Sequence, residues 1–196
     1  MGIWLLIYGI ANENHDRYID WFHHTHIDEK LARPGYDWAA HYRIRTEGNQ
    51  YIALFGSVSS RTFFDPSPKQ LKPKQDALTR EMIGYRTQPI SLVCTCEWSN
   101  ASDQAHAIQS PFIELSVFGN DADDQDVMAW CAQQHSPSRE SNFIVHQFLA
   151  SSGTPRHLSI LEANDLPDKL KQAPAYDGAE SPAVTRYIAE KIWFGD

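Results

Sequence analysis

The sequence predicts an α+β protein: two tandem β-α-β-β-α-β repeats packed sheet to sheet as one pseudo-symmetric barrel. Three observations predict it. Short apolar runs such as Ile3-Trp4-Leu5-Leu6-Ile7-Tyr8 recur between turn residues, as strands do. An echo links the halves: Trp21 is followed five residues on by His26, Trp130 by His135, and the two pairs stand 109 positions apart. The composition, 42% apolar and 21% charged over 196 residues, supports a packed core and excludes a disordered, collagen-like or coiled-coil chain.

The elements follow in order. The run from Ile3 to Tyr8 ends at Gly9 and reads as a strand. A helix is expected from about 14 to 32. It must stop before Arg33-Pro34-Gly35, because proline lacks the N–H and disfavours helix for its predecessor. A strand over Trp38 to Ile44 and another over Tyr51-Ile52-Ala53-Leu54-Phe55 come next. Pro66, Pro68 and Pro73 break up the following stretch, a helix is expected near 75–85, and a last strand near 90–98. The polar residues 100–109 read as a linker between a first repeat, 1–99, and a second, 110–196. At offset 109 the first strand falls on Phe112-Ile113-Glu114-Leu115-Ser116-Val117. At offset 105 His41 falls on His146, and at offset 106 Tyr51 falls on His157. Gly153-Thr154-Pro155 is a hairpin turn, and a strand near 185–193 closes the second copy.

Each copy has the ferredoxin-like pattern. Helices cover one sheet face, and the other needs an apolar partner, which the second copy can supply.

Net charge is −8 and basic residues do not cluster, which argues against a nucleic-acid partner. No stretch reads as a secretory signal or a membrane span, and three cysteines (Cys94, Cys96, Cys131) make no disulfide framework. A cytoplasmic location with reduced thiols is the expectation. There is no Gly-x-Ser-x-Gly, P-loop or Gly-x-Gly-x-x-Gly motif, so no nucleophile elbow and no nucleotide cofactor are expected.

The segments Asp20-Trp21-Phe22-His23-His24-Thr25-His26-Ile27-Asp28, Pro34-Gly35-Tyr36, Ala40-His41-Tyr42-Arg43-Ile44 and Tyr51 to Phe55 resemble the EthD-like members of the dimeric α/β barrel superfamily. The resemblance covers about the first 60 residues. It departs at Asp28, where members often carry proline; the second copy has Pro137 there but lacks the Pro-Gly turn. The resemblance implies a barrel, usually built by two chains and here by one. It implies small-molecule chemistry without an organic cofactor (cyclisation, isomerisation, cofactor-free oxygenation). It also allows haem handling or no activity at all. No haem-attachment motif is present, and association of two such chains stays open.

Three residues are expected to be catalytic. His26 matches the recurrent histidine and titrates near neutrality, so it can move a proton; its other reading is a structural tie between helix and strand. His41 and Arg43 lie two apart on one strand and share a face. The other face, Trp38, Ala40, Tyr42 and Ile44, suits packing under helices, so this one is expected to be the lumen, where they would polarise a carbonyl oxygen. The other reading is a wet face at the barrel mouth, favoured for Arg43. Tyr51 is expected to orient a substrate. In the second copy Glu114, His135, His146 and His157 are the matching candidates for substrate binding, with Glu114 a raised-pKa carboxylate if it faces the lumen. Phe148 stands where Arg43 does, so any pair of sites is unequal. His23 and His26 share a helix face but do not form a His-Glu-x-x-His pattern, and no metal is expected. The leading expectation is a cofactor-free enzyme moving a proton on a small apolar or aromatic carbonyl compound in the barrel lumen. A non-catalytic binding or structural module of the same fold is the first alternative. Haem handling or oxygenation is the second.

Overall fold

The computed structural model describes residues 1–46, 48–103, 106–134, 143–165 and 184–193. The chain opens with β1 (Gly2–Ile10) and then a helical segment in three continuous parts: α1 (His15–Trp21), a π turn (Phe22–His26) and α2 (Ile27–Leu31). A Pro34-Gly35 turn follows, with Gly35 at φ 82°, where a side chain would be strained. Next come β2 (Trp38–Ile44) and β3 (Gln50–Ser57). Gly56 in β3 must be glycine, because a Cβ there would lie 1.8 Å from the Trp38 ring. The proline-rich stretch still holds a short α3 (Pro68–Leu71), started by a Ser67–Gln70 capping box. α4 (Ala77–Gly84) and β4 (Arg86–Ser99) complete the first half. The second half has β5 (Phe112–Phe118), α5 (Asp124–Gln134), β6 (Ile144–Ser152), β7 (His157–Ala163) and β8 (Val184–Lys191). His135, and the stretch between β7 and β8 where a second helix is expected, fall outside the described residues.

The eight strands close into one antiparallel barrel in the order β1-β3-β2-β8-β5-β7-β6-β4. Read around the ring, the first four strands stand as β4-β1-β3-β2 and the last four as β8-β5-β7-β6. The halves meet where β2 pairs with β8 and β4 with β6. Among the described residues no helix is long and apolar enough to cross a membrane.

Alternate residues on each strand serve two different cores. Ile3, Leu5 and Ile7 of β1, Ala40, Tyr42 and Ile44 of β2, Ile113, Leu115 and Val117 of β5, and Leu158 and Ile160 of β7 fill the barrel interior. The other face of the first-half strands (Trp4, Leu6, Tyr8, Tyr51, Ala53, Phe55) packs under Tyr18, Trp21, Phe22 and Ile27 of the helices. A smaller layer, Phe118 against Val127, Trp130 and Cys131, lies under α5.

This pattern corrects two expectations. His41 and Arg43 do not face the lumen; Tyr42 and its neighbours do. His41 lies on the outer face against Tyr8, Phe22 and Tyr51, and Arg43 on that face is solvent-exposed beside Asn49. Glu114 also faces outward: its carboxylate pairs with Arg186 at 3.3 Å, and the Arg186 guanidinium lies over Trp130 of α5. For β2 the apolar face of Ala40, Tyr42 and Ile44 fills the barrel instead of packing under helices. For β5 the cause is a one-residue slip, which flips every side chain to the other face. Ile113 rather than Glu114 stands inside with Ile3, so the first strands match at offset 110, not 109. The lumen expected to hold a substrate is therefore lined mainly by aliphatic side chains.

Candidate functional site

Two polar clusters stand out, one in each half and on opposite sides of the sheet. The first lies between the outer face of β1, β2 and β3 and the helical segment. His41, fully buried, is held at both nitrogens: Nε2 is 2.9 Å from the Tyr8 hydroxyl and Nδ1 is 2.8 Å from His23 Nε2. The neutral ring satisfies both contacts by accepting on one side and donating on the other. Burial, then His23 and Arg86, hold the His41 pKa well below its ordinary value, so the ring is uncharged at neutral pH. The Tyr51 hydroxyl meets His15 Nε2 at 2.6 Å, and His15 Nδ1 meets Asp16 at 2.7 Å, which leads this part of the layer to the surface.

His26 ends the π turn, a local widening that often marks functional helices. Its ring packs on Trp21 at 4.5 Å and on Phe22 at 5.3 Å. It is 1% exposed, and its Nδ1 is buried with no hydrogen-bond partner. Burial, Lys30, Arg86 and Arg33 push its pKa well below the usual value. Lys30, one helical turn on, is 4% exposed and lies over the Trp4 ring; burial lowers its pKa to about 7. Arg86 donates from Nε to the Tyr18 hydroxyl at 2.7 Å and lies 4.8 Å over the Tyr8 ring. Trp21 Nε1, Arg33 NH1 and Arg86 NH2 are, like His26 Nδ1, buried without a partner. His26, Glu29, Lys30 and Arg33 line a cavity of about 200 Å³ whose other wall includes Lys74, Asp76 and Thr79. Buried polar groups are normally satisfied, so three orphaned donors and an unpartnered imidazole nitrogen in one layer mark a place built to hold acceptor oxygens.

The second cluster stands at one end of the barrel, where β6 and β7 meet the linker after β4. Glu162 of β7 accepts at Oε1 from His106 Nε2 (2.8 Å) and His146 Nε2 (2.9 Å). It accepts at Oε2 from the backbone N–H of Gln109 (3.0 Å) and Ser110 (3.1 Å). Burial pushes its pKa up, but the bonds from His146 and from the Ser110 N–H outweigh that and hold it below the usual carboxylate range. His146 Nδ1 lies 2.9 Å from Ser99 Oγ, which itself accepts from the Ala101 N–H. Ser99, His106 and His146 line a pocket of about 350 Å³ together with Met1, Cys96 and Trp98.

The structure thus brings His26, His41 and Tyr51 of the expected residues into one layer. It leaves Arg43 at the surface. Glu114 sits under α5, and His157 on that same outer side bonds Asp124 at 2.7 Å, far along β7 from His146. His146 is the one expected second-half residue in the barrel-end cluster. Sequence reasoning missed Lys30, Arg86, Glu162 and His106. Lys30 had a signal, since it lies four residues after His26 on one helix face. His106 had none, because it comes from the linker.

No family profile matches the chain, and no curated protein matches it by sequence. Solved structures do match in shape. An anthrone oxidase-like protein aligns with a TM-score of 0.63 at 8% identity, covering 97% of this chain and 91% of that one. A candidate monooxygenase of Fusobacterium nucleatum subsp. nucleatum gives 0.64 at 6% identity with the same coverage. A candidate chlorite dismutase gives 0.59 at 12%, covering 98% and 95%. The chain has their fold: a closed eight-stranded antiparallel barrel of the dimeric α/β barrel type. At these identities the likeness concerns the fold and leaves the reaction to be argued from the site.

Proposed function

We propose that the first half is the working site of a small-molecule enzyme that binds an aromatic compound bearing an acidic oxygen (an enol, phenol or carboxylate) in the cavity between the helical segment and α4. The observation that carries this reading is a set of buried groups without partners: the donors Trp21 Nε1, Arg33 NH1 and Arg86 NH2, and the ring nitrogen His26 Nδ1. Lys30, Arg33 and Arg86 supply positive charge for an oxyanion. The Trp21 and Phe22 rings pack against His26 and hold its ring in place. His26, kept uncharged by burial and by those cations, is the proton acceptor. Proton loss from a substrate carbon would move negative charge onto the oxygen that the cations face. Cyclisation, isomerisation or dehydration can follow from that anion.

Oxygenation is a second reading, favoured by the names of the neighbours in shape. Such an anion is the electron-rich species that O2 accepts electrons from. His41 is the neighbouring buried base; with both nitrogens engaged it reads as a positioning group between Tyr8 and His23. We also propose that the two halves descend from one duplicated β-α-β-β-α-β unit, which their equal strand order supports.

Thermal-shift titration with benzoate, salicylate and 2-naphthol tests the reading. At least one of these probes should raise Tm in the native chain and do so about tenfold more weakly in His26→Asn. Equal protection of both proteins, or protection of neither, would contradict it.

A further inference from the structure

We infer that His106, His146 and Glu162 form a binding site for a divalent transition-metal ion of the zinc type, with an open coordination position facing the pocket at the end of the barrel. The inference does not depend on the reaction proposed for the first half.

Sequence motifs point to no metal, because the three residues come from separate elements: the linker, β6 and β7. The fold converges them. Glu162 Oε1 lies 2.8 Å from His106 Nε2 and 2.9 Å from His146 Nε2, and one ligand atom from each of the three lies within 4.8 Å of the others. Zinc binds imidazole nitrogen and carboxylate oxygen at about 2.0–2.2 Å, which spaces tetrahedral ligands roughly 3–3.5 Å apart. The two histidine nitrogens need to draw back from Glu162 Oε1 by only a few tenths of an ångström to admit the ion. Two imidazoles and one carboxylate are a borderline donor set, suited to zinc, cobalt or ferrous iron and poorly suited to calcium or magnesium.

The surroundings are also those of a metal site. Ligands to a metal are usually fixed by a second layer of hydrogen bonds. Glu162 Oε2 is clamped by the N–H groups of Gln109 and Ser110, which leaves Oε1 for the cluster. His146 Nδ1 meets Ser99 Oγ at 2.9 Å, so a Nδ1–H donated to Ser99 leaves the Nε2 lone pair for the ion. Three protein ligands beside a pocket of about 350 Å³ leave a fourth position for water. That is the layout of a reactive metal site, whereas a structural zinc is closed by four protein ligands.

The test is titration of chelator-treated full-length protein with Co2+, whose visible absorption reports a low-coordinate site, and with Zn2+ by calorimetry. The native chain should bind one equivalent of either ion with visible bands and a Tm that rises on loading. His106 is part-exposed on the linker, so His106→Ala and His106→Gln should stay folded. Both should lose the bands and weaken binding at least a hundredfold. Ser99→Ala should weaken it about tenfold. His24→Ala should change nothing, since it removes an exposed histidine on the first-half helical segment. No stoichiometric binding by the native chain would overturn the assignment. So would equal affinity in the His106 variants, which would mean adventitious binding by other histidines.

Discussion

The two buried clusters differ in which partner is missing. In the first-half layer the surplus is donors: Trp21 Nε1, Arg33 NH1 and Arg86 NH2 have no acceptor, His26 Nδ1 has no partner, and the nearby charges are Lys30, Arg33 and Arg86. At the barrel end the centre is an acceptor, Glu162, and each of its oxygens is met by two donors. One barrel thus offers a niche for an anion and, on the other side of its wall, a niche for a cation. The lesson is that the charge of the missing partner can be read from which kind of hydrogen-bonding atom is left over.

The largest effect should come from breaking the satisfied cluster. Glu162→Ala leaves two histidines and two backbone N–H groups without their acceptor, and should cost about 3–5 kcal/mol, the range for a buried charged network that loses one partner. Chemical denaturation measures it. A cost below about 1 kcal/mol would mean that the cluster is hydrated and open.

The opposite sign is expected in the first half. Lys30 is buried in excess positive charge, so Lys30→Met should leave stability unchanged or raise it by about 1–2 kcal/mol while abolishing the protection given by an acidic aromatic probe. Loss of stability together with unchanged probe binding would erase the contrast between the two clusters.

Much of the fold was legible in the residues, and the faces were not. Strand positions followed from apolar runs bounded by Gly and Pro, and the helix stop followed from Arg33-Pro34-Gly35. The first strand shows why the faces failed. Gly2 to Ile10 is almost wholly apolar because the barrel buries one side and the helices the other, so no alternation marks the inward residues. The echo was then matched one residue off at β5, which turned Glu114 inward. The apolar face of β2 was assigned to the helices rather than the barrel, which turned His41 and Arg43 inward. At β3 and β7 the match kept parity, and Tyr51 and His157 both lie on the outer side. The first-half site was half visible, through His26, His41 and Tyr51 on a helix and neighbouring strands. The barrel-end cluster was hidden because Glu162 and His106 become neighbours only when the linker folds over the end of β7.

The central claim is that His26 is an uncharged base facing an unfilled anion niche, and histidine side-chain NMR across a pH titration tests it most directly. An imidazole whose pKa is lowered in the fold takes up its proton more readily when unfolded, so it stabilises the fold above about pH 6.5 and that stability is lost as the pH falls. The account predicts that the His26 ring stays neutral from pH 7 to below 6 and that its Nδ1 resonance moves when salicylate is added. A ring that titrates near 6.5 and ignores the added acid would contradict it.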